Sequence, residues 1–173
     1  MPEINVEVIN KENCTACGAC ENICPNNCLR MIQDDEGFLY PQIDMGKCNN
    51  CGKCIRVCPI LNKKKFCNSM EPKVYAAWSL NDEIRKDSSS GGIFTELALC
   101  IIELRGYVIG ARYNEKHLVE HDIAKNKDEL ALLRKSKYVQ SKIGLIFREI
   151  KNFLDQDKHV MFVGTPCQVA GLR

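Results

Sequence analysis

The chain has 173 residues, of which 45% are hydrophobic and 12 are cysteine, with a formal net charge of +2. That length allows one or two domains, and the near-balanced charge gives no footprint for a nucleic-acid partner. The basic run Lys63, Lys64 and Lys65 has no second patch to join and reads as a solvated linker.

The opening, MPEINVEVINKE, has neither the basic region nor the apolar core of a signal peptide. Val6, Val8 and Ile9 suggest an entering strand. Then the spacing C-x-x-C-x-x-C-x-x-x-C-P occurs twice, as Cys14, Cys17, Cys20, Cys24, Pro25 and as Cys48, Cys51, Cys54, Cys58, Pro59. The offset is 34 residues at every position, and Gly18 matches Gly52 in the same register. This is the ligand pattern of two-cluster bacterial ferredoxins, in which each fourth cysteine crosses to the other cluster. It assigns Cys14, Cys17, Cys20 and Cys58 to one [4Fe–4S] cube, and Cys48, Cys51, Cys54 and Cys24 to a second. Three thiolates two residues apart let one tight loop wrap three corners of a cube. The glycines let that backbone approach, and the proline fixes φ as the chain leaves. Zinc and disulfides are the rivals, but zinc sites use two C-x-x-C pairs, whereas each half here runs three cysteines and then a fourth.

Asp34–Gly37 reads as a turn ahead of a strand at Phe38–Ile43. Cys28 is extra to the pattern and reads as a small buried apolar residue. Cys67, in the linker, takes no role. A module of this size, residues 1–62, exposes most of its surface, so its clusters staple what a core cannot. Thiolate-held clusters also need a reducing compartment, so a cytoplasmic location is expected. The longest apolar run, Leu97–Ile102, has six residues, too few for a membrane span.

After the linker 63–73 an α/β alternation begins and runs over 74–173, giving an α+β chain overall. Val74–Trp78 reads as a strand, with Tyr75 and Trp78 packed in the core. Asn81–Ser90 reads as a polar loop, and Ile93–Leu104 as a helix apolar on most of its circumference, hence buried, Cys100 included. Tyr107–Ala111 and Leu118–Ile123 are strand candidates, and Asp128–Leu133 is a short helix. His117 and His121 lack the glutamate that a zinc-binding HExxH helix needs, and HLVEH alternates like a surface strand. Ser141 is placed to cap an amphipathic helix carrying Ile143, Ile146, Phe147, Ile150 and Leu154. Val160–Val163 is a short buried strand ending at Gly164-Thr165-Pro166-Cys167. The chain stops where the next helix should begin, so this domain is expected to be incomplete.

Three stretches here invite a chemical reading. Ser88, Ser89, Ser90, Gly91 and Gly92 lie ahead of a helix N-terminus and could face an anion, although a serine-rich cap needs the same residues. Lys137-Tyr138-Val139-Gln140-Ser141 is a polar cluster with no meaning by itself. Cys167, at the carboxyl end of a strand, could be a nucleophile, a metal ligand or inert.

Together SSSGG, KYVQS and VMFVGTPCQVAGLR, in that order after a two-cluster ferredoxin segment, resemble the beta-subunit family of coenzyme F-420 hydrogenases and dehydrogenases. The resemblance covers most of the chain, namely the ferredoxin module and the N-terminal portion of the family's flavin domain. Two departures stand out. Arg134, Lys135 and Ser136 precede KYVQS where relatives show a glycine before the serine, and the family's C-terminal half, with further cysteines, does not follow. The resemblance implies an FAD-containing electron-transfer oxidoreductase. Ser88–Gly92 and Lys137, Tyr138, Gln140 and Ser141 would then contact the flavin, and Cys167 would bind an additional cluster that only a longer form could complete. It also implies a redox partner, either a protein or a small-molecule donor or acceptor such as a deazaflavin or nicotinamide. With half a flavin domain, residues 1–173 are expected to be redox-active, to hold little FAD, and not to turn over alone. The competing reading is a plain ferredoxin-type carrier whose second part is a docking domain.

Overall fold

The computed structural model describes residues 6, 9–63 and 71–173. In chain order the elements are α1 (Ala19–Ile23), β1 (Leu29–Gln33), β2 (Leu39–Ile43), α2 (Lys53–Val57), α3 (Asp82–Lys86) and α4 (Ile93–Glu103). There follow β3 (Tyr107–Tyr113), β4 (Val119–Ala124), α5 (Lys127–Leu133), α6 (Ile146–Leu154), β5 (Val160–Phe162) and α7 (Pro166–Leu172). The chain is therefore α+β. It divides into two compact units: one takes Met1–Ser69, Ile143–Arg148 and Thr165–Arg173, the other Met70–Lys142 and Glu149–Gly164. Two short segments distant in sequence thus belong with the cysteine-rich part.

In the first unit the sequence repeat is also a backbone repeat. Ala16 and Asn50 take φ of 50° and 53°, and Gly18 and Gly52 take 74° and 65° as N-caps of α1 and α2. Cys24 and Cys58 end those helices in the same extended conformation, at φ −67° and −69°. Left-handed backbone at the loop tip turns three cysteines toward one point, and glycine takes it without steric cost. Between the halves, β1 pairs antiparallel with β2, from Leu29↔Ile43 to Gln33↔Leu39. Asp34 builds the turn, its Oδ1 accepting the amides of Glu36 (3.1 Å) and Phe38 (2.9 Å). Leu29, Met31 and Ile43 join Val6, Ala16 and four cysteines in a small core. β1 was not evident in the sequence, because Leu-Arg-Met-Ile-Gln alternates over only five residues. The expected entering strand lies partly outside the described residues, and Val6 and Ile9 themselves are not in a strand. Cys67 also lies outside them.

The second unit is a three-stranded sheet in the order β4-β3-β5, antiparallel on one side of β3 and parallel on the other. Ala98, Val108, Ala124, Leu130 and Leu133 form its core, flanked by Phe94, Leu99 and Met161. Asn114 closes the β3–β4 hairpin by accepting the amides of Lys116 and Leu118, both at 3.0 Å. Tyr107 stacks on Phe153 of α6, with centroids 3.9 Å apart.

Several expectations for this part are corrected. Val74–Trp78 is not a strand, and Tyr75 and Trp78 are 78% and 61% exposed. Strand propensity alone does not hold a strand; a ladder partner and a covered face do. The polar loop 81–90 contains α3, because Asn81 accepts the amides of Glu83 and Ile84 and the charges along Asp82–Lys86 complement the helix dipole. On α4 only Thr95 and Ala98 are buried, and Leu97 and Cys100 are exposed. Ser141 caps no helix: Lys142 bridges to Glu120, Gly144 turns at φ 57°, and α6 starts only at Ile146. His121 is not on a surface strand face but buried, stacked on Phe162. The helix expected beyond the chain end forms within it as α7, capped by Thr165, with Pro166 at its first position.

Candidate metal centres

Two cavities lie in the first unit. Cys14, Cys17, Cys20 and Cys58 line the first, among Val6, Ile9, Met31, Pro41 and Ile60. Cys24, Cys48, Cys51 and Cys54 line the second, with Leu29 and Ile43. Each fourth cysteine therefore faces the cavity of the other repeat. The chain crosses because a five-residue helix ends at Cys24 or Cys58 in extended backbone and carries that thiol past its own loop. Among the described residues no three His, Cys, Asp or Glu side chains converge closely enough to hold one ion. Each set of four thiols lines one cavity.

The electrostatics follow from burial and crowding. Burial pushes the Cys14, Cys17 and Cys20 thiols up, and the neighbouring sulfurs Cys58 and Cys167 push Cys14 and Cys17 further. Burial likewise raises Cys54. Cys24 goes the other way. Burial opposes its ionisation, but a hydrogen bond from Cys28 and the amides of Cys28, Asn26 and Leu29 outweigh it and hold its thiol below the usual range. A group that ionises only when a cation arrives couples metal loading to proton release.

Cys28 is packed in the small core, as expected, and also borders the second cavity. It is buried and lines the second cavity as a fifth thiol, with its Sγ 3.3 Å from Cys24 Sγ. Burial, with Cys24 and Cys48 beside it, pushes its pKa up to about 12. The signal available in the sequence was its place four residues after a crossing cysteine.

Arg148 was not singled out in the sequence. Its guanidinium donates to the carbonyls of Asn22 (2.8 Å), Glu21 (3.1 Å) and Cys24 (2.9 Å) and to Asn27 Oδ1 (2.6 Å). These are the open carbonyls at the C-terminus of α1, where a cation is favoured. Two more contacts seat the same segment: Asn22 Nδ2 donates to Gly144 O at 2.7 Å, and a Cβ on Gly18 would meet Ile143 Cβ at 3.0 Å.

Cys167 sits on the first turn of α7, half-buried, with Sγ 3.1 Å from Thr165 Oγ1 and 4.0 Å from Thr15 O. It lies beside the first cavity without lining it. Gly171 permits this approach, since a Cβ there would meet Ala19 Cβ at 2.9 Å and Cys17 Sγ at 3.3 Å.

In the second unit, Ser89 Oγ accepts the amide of Ser136 at 2.9 Å, which ties the 88–92 loop to the residue preceding Lys137. Ser88 Oγ is occupied with Ile84 O at 2.7 Å. Gly92 caps α4 at φ 81° with no side-chain cap, and a Cβ on Gly91 would strike Ala77 O at 2.5 Å. Lys135 takes a left-handed φ of 68°. Lys137 turns back onto the carbonyls of Leu132 and Arg134, and its burial lowers its pKa. Tyr138 is 91% exposed, Gln140 is exposed, and Ser141 is buried, so these four side chains do not converge.

Among the described residues no helix is long and apolar enough to cross a membrane. No curated protein matches the chain closely enough to serve as a relative. Two family models do match. Residues 13–61 match the 4Fe-4S dicluster domain, and residues 74–146 match the N-terminal part of the coenzyme F420 hydrogenase/dehydrogenase beta subunit. An iron–sulfur electron-transfer role, exercised with a redox partner, follows from that pair. The chain is thus similar to a 4Fe-4S dicluster domain over residues 13–61 and to the N-terminal part of the coenzyme F420 hydrogenase/dehydrogenase beta subunit over residues 74–146.

Proposed function

We propose that the chain carries single electrons through two [4Fe–4S] clusters, as the input or output arm of a flavin-dependent oxidoreductase. Cys14, Cys17, Cys20 and Cys58 hold one cluster, and Cys48, Cys51, Cys54 and Cys24 the other. The observation that carries this reading is the crossed arrangement in which three thiols of one repeat and the fourth of the other line each of two cavities. The donor set fits: four sulfurs and an apolar wall suit a body larger than one ion, and soft thiolates suit iron–sulfur clusters. The protein's part is to fix the thiols, exclude water with residues such as Met31 and Ile43, and supply backbone amides to the sulfurs.

The flavin part of the proposal rests on the second unit. FAD, when bound, supplies conversion of a hydride pair into single electrons. The 88–92 loop, tied through Ser89 to Ser136, and the α4 N-terminus, which has no side-chain cap, suit an anionic or ring-edge contact. Their exposed or inward-turned side chains agree with weak retention of flavin by these residues alone. Cys167 is proposed as a ligand of an additional cluster, for which the described residues offer no complete set of further ligands. The second unit's substrate would be a deazaflavin, a nicotinamide or another two-electron carrier.

The test is composition. Anaerobically prepared protein is expected to carry about eight irons and eight sulfides, since two full ligand sets are present. Zinc in their place, or fewer than about four irons after reconstitution, overturns the cluster reading. Cys24→Ser should damage the cluster whose other ligands come from the second repeat. Stoichiometric FAD with steady dye reduction would show that the flavin site is complete in this chain.

A further inference from the structure

The 34-residue repeat aligns Cys28 with Asn62, each the fourth residue after a crossing cysteine. The two are used differently. Asn62 turns away from sulfur: its Nδ2 donates to Ile55 O at 2.6 Å and Cys58 O at 3.0 Å, and it does not line the first cavity. Cys28 faces the second cavity with its Sγ 3.3 Å from the Sγ of Cys24, the crossing ligand. The two repeats match in backbone through the crossing cysteines and diverge after them, and four thiols line one cavity and five the other.

We infer that Cys28 is a positioning residue whose S–H donates to the Cys24 ligand sulfur and raises the reduction potential of the second cluster above that of the first. This inference rests on the cluster reading given above. Reduction adds negative charge to the cluster and its ligand sulfurs, so a donor aimed at one of them stabilises the reduced state more than the oxidised state. The electron comes from an external low-potential reductant, the cluster is reduced by one electron, and the Cys28 proton stays on its own sulfur. No bond to Cys28 forms or breaks. The consequence is direction: an electron entering at the first cluster runs downhill to the second.

Iron and sulfide analysis followed by a redox titration, read by electron paramagnetic resonance, tests this on the full chain. Cluster-loaded wild type should show two separate one-electron midpoints. Cys28→Ala should retain its iron and move the higher midpoint negative by about tenfold in the reduction equilibrium, which is 59 mV for one electron, leaving the lower one in place. Cys28→Ser, which keeps a donor, should recover most of the shift. Unchanged midpoints in a fully loaded Cys28→Ala variant overturn the inference, as does loss of half the iron, which would make Cys28 a ligand. A wild-type chain that takes up no iron would instead remove the cluster reading itself, so the two failures are told apart.

Discussion

Removing the Arg148 guanidinium should loosen the iron–sulfur unit, although Arg148 is distant from the cysteines in sequence and was not read as part of that module. In Arg148→Ala the carbonyls of Glu21, Asn22 and Cys24 and the side chain of Asn27 all lose a cationic donor. Hydrogen bonds to a charged group are worth about 1.5–3 kcal/mol each. These acceptors are only part-buried and water can replace some of the loss, so about 3 kcal/mol for the set is a fair magnitude. Unfolding of a cluster protein is irreversible once iron leaves, so the quantity to measure is a rate. At fixed urea under anaerobic conditions, loss of visible absorption should accelerate by up to ~150-fold if the whole 3 kcal/mol appears in the unfolding barrier. Arg148→Lys should recover little, because an ammonium cannot reproduce a fork that reaches four acceptors. Acceleration of less than about threefold in Arg148→Ala would refute the reasoning, since it corresponds to well under 1 kcal/mol.

Two further outcomes are expected. Gly171→Ala should strain the first cavity alone, because its Cβ would meet Ala19 Cβ at 2.9 Å; overpacking of this kind costs about 1–3 kcal/mol. Half of the cluster absorption should then bleach faster, and uniform bleaching of both halves would contradict the placement of α7. In the second unit, burial lowers the His121 pKa from its ordinary 6.5, partly offset by the Val163 carbonyl. The unfolded state therefore binds the proton first: stability is full above pH 6.5 and declines as pH falls from there toward the depressed folded value. His121→Gln should flatten that dependence in urea midpoints between pH 7.5 and 5.5, and an unchanged slope would show that His121 is not the group responsible.

The cavities were legible because cluster ligation imposes a rigid one-dimensional code: spacing alone predicts which thiols meet, and φ at Gly18 and Gly52 follows from it. The α/β elements were legible where periodicity was long, as in β3, β4 and α5. What escaped was decided by tertiary context. Trp78 and Tyr75 have apolar side chains but no covering layer among the described residues, and α3 has no apolar stripe, only a cap and complementary charges. Arg148 could not be found at all, because a surface arginine on an amphipathic helix carries no sign of the helix end it will meet.

Cys28 was visible as a residue but not as a device, and the reason is instructive about repeats. Duplicated loops with matching glycines argue for two equal sites, so any departure at an equivalent position marks where the sites can differ. Aligning the halves leaves Cys28 against Asn62, a pair whose meaning depends on which way each side chain turns. Asparagine satisfies the carbonyls of its own helix end, at 2.6 and 3.0 Å from Ile55 O and Cys58 O. Cysteine cannot bridge those carbonyls as well, being a weaker donor on a shorter side chain, and buries its sulfur against the neighbouring thiols instead. The two cavities differ in lining, and the fifth thiol is the difference that bears directly on a ligand sulfur, from which the inferred difference in potential and hence direction follows.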